Sequence, residues 1–212
     1  TLNIDHLNFH YEEGKDVIKD LCFSFKSGQI TYITGRSGAG KSTLFKLING
    51  LLQQYDGKLF LETREGSRFY EIDPSIVTYV SQTPFLFNGT IAENIALTDA
   101  EEIDREKLHD AMEKAGIKEF VCSLSGGSDY MLQDEGKSFS GGQRCRLALA
   151  RAFYNPTPII LMDEVYASVD NVVISGIDGA IRELCEYNSC VLFITHRKEW
   201  IPADAEVLTL GA

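Results

Sequence analysis

The chain has 212 residues, of which 44% are hydrophobic and 24% charged, and this balance indicates a globular protein with a sizeable core. Lys and Arg number 20 against 31 Asp and Glu, a net charge of -11 that argues against a nucleic-acid-binding protein. No apolar run approaches the ~20 residues of a membrane-spanning helix. The chain shows no signal peptide and no initiator Met, so we expect a domain of a longer polypeptide.

Five cysteines are scattered along the chain, and no C-x-x-C pair suggests a zinc or redox site. Most stand among apolar residues, where a cysteine behaves as a small buried hydrophobe. We therefore expect a reducing compartment and no zinc. The five are Cys22, Cys122, Cys145, Cys185 and Cys190.

The first 83 residues carry strand patterns around one helix pattern. Polar–apolar alternation at Leu2 and Ile4, and again in residues 17–25, predicts an antiparallel β layer. A β-rich run follows in residues 28–35 and breaks at Gly35. A helix is expected next, with an apolar face and an end near Gly50. Its apolar face comprises Leu44, Leu47, Ile48 and Leu51, and further strands are expected in residues 57–62, 67–72 and 75–82.

The middle of the chain changes to helical spacing. Helices are predicted in residues 89–97 and 104–116, and residues 143–154 carry an apolar stripe. After residue 157 the pattern returns to a buried parallel strand, a helix and a second buried strand. The sequence thus predicts an α/β core, residues 1–83 and 157–212, interrupted by a helical subdomain, residues 84–156. The helical faces are Leu108, Ala111, Met112 and Ala115; Cys145, Ala148, Leu149, Ala152 and Phe153; and Val173, Ile177, Ile181 and Leu184.

The strongest motif is "GRSGAGKST", which matches G-x-x-x-x-G-K-S/T between a predicted strand and a predicted helix. Backbone N–H groups of such a loop and the helix N-terminus attract phosphates. Lys41 adds a charge at the terminal phosphates, and Ser42 offers a hydroxyl to Mg²⁺. This pattern predicts a nucleoside-triphosphate site. Its residues are Gly35, Ser37, Gly38, Ala39, Gly40, Lys41, Ser42 and Thr43.

Two carboxylates end the predicted strand "IILMDE". Asp163 can hold the metal, and Glu164 can orient or deprotonate a water molecule. Two carboxylates at a strand end are more often a solvated turn, but a phosphate loop in the same chain favours catalysis. Three other residues, Gln82, His196 and Tyr11, have ordinary structural explanations when taken singly.

Together these segments resemble the nucleotide-binding domain of ATP-binding-cassette (ABC) transporters over essentially the whole chain. That resemblance implies a P-loop NTPase (RecA-like) core with an antiparallel β layer and an inserted α-helical signature subdomain. It also implies further site residues: Gln82 of the Q-loop "YVSQTP", Ser140, Gly141, Gly142 and Gln143 of the signature "FSGGQ", Asp170 of the D-loop "ASVD", His196 of the switch segment "ITHR", and Tyr11 as the aromatic that stacks on adenine.

The Ser-Gly-Gly triplet occurs twice, at Ser125 and at Ser140. Only the second is followed by Gln143, leads into a basic amphipathic helix and shortly precedes "IILMDE". The resemblance therefore implies that Ser140 opens the signature helix and that Ser125 does not. In the family, this helix covers the ATP held by a second nucleotide-binding domain, identical or different, packed head to tail.

The resemblance also implies the roles of the site residues. Lys41 binds phosphates, Ser42, Gln82 and Asp163 organise Mg²⁺ beside ATP, Glu164 is the general base, and His196 positions the γ-phosphate.

The segment "PFLFNGTIAENIAL" resembles the exporter-type cassettes, in which a transmembrane domain is fused or partnered. We therefore expect a transmembrane domain upstream and a place on the cytoplasmic side of a membrane. Three features depart from the family pattern. Phe139 and Val169 replace leucines, and "QDEGKSF" replaces a stretch associated with coupling to the membrane domain.

Three alternatives remain beside an exporter ATPase. A soluble ABC ATPase of DNA repair or translation is disfavoured by the net acidity and the lack of a long insert. A non-hydrolytic regulatory cassette is disfavoured by Glu164 and His196. A P-loop kinase leaves "SGGQ" unexplained.

Overall fold

A computed structural model describes residues 1–11, 16–167, 169 and 171–211. The chain divides into two compact units. Unit 1 contains Thr1–Tyr79, Thr157–Glu164 and Cys185–Ala212, and unit 2 contains Val80–Pro156 and Val165–Leu184. The division predicted from the sequence, with a core in residues 1–83 and 157–212 and a helical subdomain in residues 84–156, stays a prediction.

An antiparallel sheet forms one layer of unit 1, as predicted. It has the strand order β2-β1-β4-β5. Along β1 the side chains of Leu2, Ile4, Leu7 and Phe9 are buried, because successive residues of a strand face opposite sides of a sheet. The strands are β1 Leu2–Phe9, β2 Ile18–Phe25, β4 Asp56–Glu62 and β5 Arg68–Phe69.

The second sheet has the order β11-β3-β10-β9-β6. Every residue of β9 and β10 is buried, as expected of parallel strands covered on both faces. Ile194 pairs with Ile33 on one side and with Asp163 on the other, so β3, β9 and β10 end at the same edge of the sheet. The strands are β3 Gln29–Gly35, β6 Val77–Val80, β9 Ile159–Asp163, β10 Cys190–Ile194 and β11 Glu206–Leu210.

Two predictions in unit 1 are wrong in detail. Helix α1 spans Lys41–Ile48, and Asn49 caps its C-terminus, so Leu51 lies beyond the helix with 62% of its surface exposed. Gly50, at φ 71°, turns the chain away from the helical path. The run expected to form a strand in residues 67–72 pairs only at Arg68–Phe69.

Unit 2 is mainly helical. Helix α5 packs against α2 and α3 and buries the whole predicted stripe from Cys145 to Phe153. Helix α4 was not predicted from the sequence. None of the described helices is both long and apolar enough to span a membrane. The elements are β7 Gly89–Thr90, α2 Ile91–Ala96, α3 Arg105–Lys114, α4 Lys118–Ser123, β8 Met131–Leu132, α5 Gly141–Tyr154 and α6 Asn171–Glu186.

Candidate functional site

The glycine-rich loop joins the end of β3 to the start of α1 in unit 1. Gly35 and Gly40 have φ angles of 144° and 91°, which side chains rarely adopt. A Cβ atom at Gly35 would collide with the carbonyl oxygen of Leu210, and one at Gly40 would lie 2.9 Å from that of Val17. Only glycine therefore lets the loop follow this path at these two positions.

The ammonium group of Lys41 is held across the mouth of this loop. It donates to the carbonyl oxygens of Gly35 at 2.9 Å and Arg36 at 3.0 Å. The residue is only 6% exposed, and no carboxylate of the described chain pairs with it. An ammonium group has three donors, so one remains for an anionic ligand, which would also compensate the buried charge.

Tyr11 lies next to the loop and is fixed on two sides. Its hydroxyl lies 3.1 Å from Thr43 Oγ1, within hydrogen-bond distance, and its ring meets Phe9 edge-on at 4.9 Å between centroids. The side chain remains 48% exposed, so a ring face is available for stacking.

Asp163 ends β9 with its carboxylate held by Tyr79. The Tyr79 hydroxyl donates to Asp163 Oδ2 at 3.2 Å, and Asp163 is only 6% exposed. Burial, and then the charge of Asp163, raise the pKa of Tyr79 well above its usual value, so its hydroxyl stays a donor at neutral pH. The other oxygen of Asp163, together with the exposed Ser42 hydroxyl at the start of α1, offers the hard oxygen ligands that fit Mg²⁺.

Glu164 and His196 form a close pair at the same edge of the sheet. Glu164 Oε1 lies 2.8 Å from His196 Nε2, and the two side chains are 24% and 47% exposed. Glu164 has a left-handed φ of 52°, and its backbone N–H donates to the Ile194 carbonyl at 3.1 Å. The strained backbone at Glu164 accompanies the approach of its carboxylate to His196, the second residue after β10.

A cavity of about 410 Å³ beside the phosphate loop is lined by three basic side chains. Arg36 comes from the loop, and His196 and Lys198 follow β10. Arg36 and Lys198 at this cavity, and Lys41 in the loop, carry positive charges that suit a phosphate-bearing ligand.

The other predicted site residues belong to unit 2. Gln82 is exposed in the bend after β6. Ser140 caps α5 with a reciprocal pair of hydrogen bonds. Its Oγ accepts from Gln143 N at 3.2 Å, and its own N–H donates to Gln143 Oε1 at 2.9 Å. Ser125 instead lies between α4 and a 3-10 turn at Gly127–Asp129 and opens no α-helix.

A buried polar hub that the sequence did not reveal lies on α5. The guanidinium group of Arg151 donates to the carbonyl oxygens of Asn94 at 2.6 Å and Phe85 at 2.7 Å, and to Asn94 Oδ1 at 3.1 Å. The fully buried side chain of Asn94 also donates to the carbonyl oxygens of Phe87 and Thr90, and it accepts a hydrogen bond from the N–H group of Phe87. Burial lowers the pKa of Arg151 to about 10. This hub attaches the loop after Gln82 to α5.

The structure thus gathers Tyr11, the phosphate loop, Asp163, Glu164 and His196 in unit 1. It places Gln82 and the signature residues in unit 2. Asp170 lies outside the described residues. Tyr79 was missed by the sequence analysis, because a tyrosine in an alternating strand has no distinguishing signal.

Comparison with known proteins agrees with this geometry. A family model described as "ABC transporter" matches residues 18–167 of the chain. The chain belongs to the ABC transporter family. The predicted family and fold class are therefore confirmed, and the chain is an ABC nucleotide-binding domain. A solved structure of a bacterial Atm1-family ABC exporter with ATP bound is similar to this chain, with a TM-score of 0.87 and 28% sequence identity. The match covers 99% of this chain and 36% of the exporter chain.

Two similar relatives of this ABC domain are ATP-dependent lipid A-core flippases. The one from Vibrio vulnificus (strain CMCP6) is 34% identical, and the one from Pseudomonas aeruginosa is 36% identical. Each match covers 99% of this chain but only 36% and 35% of the relative. The chain therefore spans about a third of the length of the curated relatives it matches.

Proposed function

We propose that this ABC domain binds ATP with Mg²⁺, hydrolyses it, and thereby drives export by a membrane transporter. The observation that carries the proposal is the common edge of unit 1. There the phosphate loop, the Asp163–Glu164 pair and His196 follow three neighbouring parallel strands. Ligands of open parallel sheets bind at the carboxyl ends of the strands.

Each residue has a role in this reaction. The phosphate loop and Lys41 hold the phosphates, and Tyr11 stacks on the base. Ser42 and Asp163 would hold Mg²⁺, which neutralises phosphate charge when bound, with Gln82 as a further ligand. Glu164 accepts a proton from the attacking water molecule. The oxygen of that water bonds to the γ-phosphorus while the bond between the γ-phosphorus and the β–γ bridging oxygen breaks, which releases ADP and phosphate. His196 holds the Glu164 carboxylate in place and positions the γ-phosphate.

We further propose that two such domains act together. The capped start of α5 exposes the Ser140 hydroxyl and helix N–H groups, a suitable partner for a phosphate held by another copy. A transmembrane domain in the same longer chain is consistent with the share of the relatives that this chain spans. Such a transporter would hold this domain on the cytoplasmic side of the membrane.

The test is the dependence of ATP hydrolysis on chain concentration. If two chains form each active site, the rate per chain rises with concentration before reaching a plateau. A rate per chain that is constant over the dilution series would refute the two-chain arrangement. An absence of phosphate release at every concentration, with ATP binding retained, would favour the non-hydrolytic regulatory cassette.

Ser140→Ala is expected to lower the plateau rate about tenfold or more, since a lost hydrogen bond to a charged phosphate costs roughly 1.5–3 kcal/mol. ATP affinity of the single chain should stay unchanged, because the signature acts on ATP held by another copy. The measurement is steady-state phosphate release with a parallel nucleotide titration.

Two controls separate this role from helix capping. Ser125→Ala alters the other triplet. Asp104→Ala removes the cap of α3, where Asp104 accepts from the backbone of Glu106 and Lys107. Both should retain the plateau rate. Equal loss in Ser140→Ala and Asp104→Ala would show that Ser140 matters only as a cap.

A further inference from the structure

A cluster of metal-binding side chains lies on the antiparallel layer, outside the proposed ATP site. Asp5 and His6 come from β1, and Cys22 comes from the neighbouring strand β2. One ligand atom from each lies within 4.8 Å of the others. We propose that these three residues, with Asp20 behind the histidine, bind one transition-metal cation of the zinc type.

The strand register brings these residues together. The pairing of β1 with β2 shifts between Ile4 and Leu7, which is the mark of a β-bulge. His6 and Asp20 both take left-handed φ angles, 51° and 49°, so their side chains leave the alternating pattern of the sheet. This arrangement depends on pairing across strands, and for that reason the spacing of cysteines along the sequence did not indicate it.

The histidine is oriented as a metal ligand needs. Its Nδ1 lies 2.5 Å from Asp20 Oδ1, and its Nε2 faces Asp5 Oδ1 at 3.9 Å. In the neutral tautomer that donates its Nδ1 proton to Asp20, the lone pair is on Nε2, beside the Asp5 carboxylate. Metal-binding histidines almost always donate their other ring nitrogen to such an acceptor, which fixes the tautomer and the ring.

The surrounding backbone holds the cluster. The Asn8 side chain donates to the His6 carbonyl at 2.8 Å and accepts from the Asp20 N–H at 2.8 Å. The His6 N–H lies 3.2 Å from Cys22 Sγ. These bonds stabilise both left-handed residues and keep the sulfur at the bulge.

The donor set favours a particular cation. Thiolate and imidazole select zinc-type ions over Mg²⁺, which prefers oxygen ligands. Zinc lies about 2.0–2.3 Å from its ligands, so the atoms here need to approach by about 1 Å. His6 and Asp5 can make that movement, because their side chains are 70% and 46% exposed. Water can complete the coordination, and the exposed position gives the ion a direct entry path.

Substitution of Lys58 is expected to raise the metal affinity of the cluster, the opposite of the effect expected for substitution of a ligand. Lys58 Nζ lies 3.6 Å from Asp5 Oδ2, where its charge opposes a cation. Lys58→Gln is therefore expected to strengthen metal binding several-fold, whereas loss of any ligand weakens it.

The experiment is a Co²⁺ titration of the reduced, metal-free, untagged chain, followed by absorption, with Zn²⁺ as competitor. We expect one equivalent to bind with a thiolate-to-cobalt charge-transfer band. Cys22→Ser should abolish that band, and Cys122→Ser, at an exposed cysteine of unit 2, should leave it intact. Asp20→Asn should keep the band but lower affinity about 10–100-fold.

A second measurement uses the unaltered chain and so does not depend on the folding of any variant. Zn²⁺ should slow alkylation of Cys22, read by peptide mass spectrometry, and should leave the alkylation rate of Cys122 unchanged. The proposal is overturned if the wild type shows no saturable binding, if the band survives Cys22→Ser, or if Zn²⁺ protects both cysteines equally.

Discussion

Glu164→Gln is expected to lower ATP turnover by about 10²–10⁴-fold, the usual contribution of a general base. Glutamine has nearly the same shape and can still contact His196, but it cannot accept the proton of the attacking water. The phosphate loop and Lys41 are untouched, so ATP affinity should change little. Phosphate release and a nucleotide titration on the same preparation measure the two quantities.

The matched control is Glu199→Gln, which makes the same change of charge in the exposed 3-10 turn after β10. It should retain wild-type turnover. If Glu164→Gln hydrolysed ATP at a rate close to that of Glu199→Gln, Glu164 would not be the base, and the pair with His196 would be structural only.

The second large effect is on stability. Arg151→Met is expected to lower the free energy of unfolding by about 3–5 kcal/mol. The substitution removes three hydrogen bonds from a charged donor, each worth roughly 1.5–3 kcal/mol. It also removes the free-energy cost of burying the guanidinium charge, which offsets part of that loss. Carbonyl oxygens of Phe85 and Asn94 would lose their donor. Urea unfolding of the chain measures the change.

Arg105→Met serves as the comparison within unit 2. Arg105 pairs with Asp129 at 2.8 Å, but both side chains are about half exposed or more, so we expect a loss of about 0–1 kcal/mol. Arg151→Lys keeps the charge without the planar fork and should fall between the two. Similar losses at positions 105 and 151 would contradict the hub described here.

Much of unit 1 could be predicted because local signals and burial agree there. Continuous apolar runs predict the buried strands β9 and β10, and the glycine spacing predicts the phosphate loop. The end of helix α1 was predicted near Gly50, within two residues of its observed end at Ile48, but Leu51 was wrongly assigned to its apolar face because it continues the apolar spacing beyond Asn49 and Gly50.

Contacts between distant residues were beyond the reach of sequence patterns. Arg151 and Asn94 are 57 positions apart, and neither stands in a motif that indicates pairing. The same holds for His6 and Asp20, which meet only because the β1–β2 register shifts at the bulge. The cap at Ser140, by contrast, can be predicted from the sequence, because serine followed by glutamine three residues later is a known start signal for a helix.

Helix α5 has a mechanical consequence. Its 14 residues make a rod of about 21 Å, since each residue adds ~1.5 Å. One end carries the capped Ser140, and near the other end Arg151 grips the loop after Gln82. Ser140 and the loop after Gln82 are therefore attached to opposite ends of one continuous helix, so a change at the loop can reach Ser140 through a single rigid element.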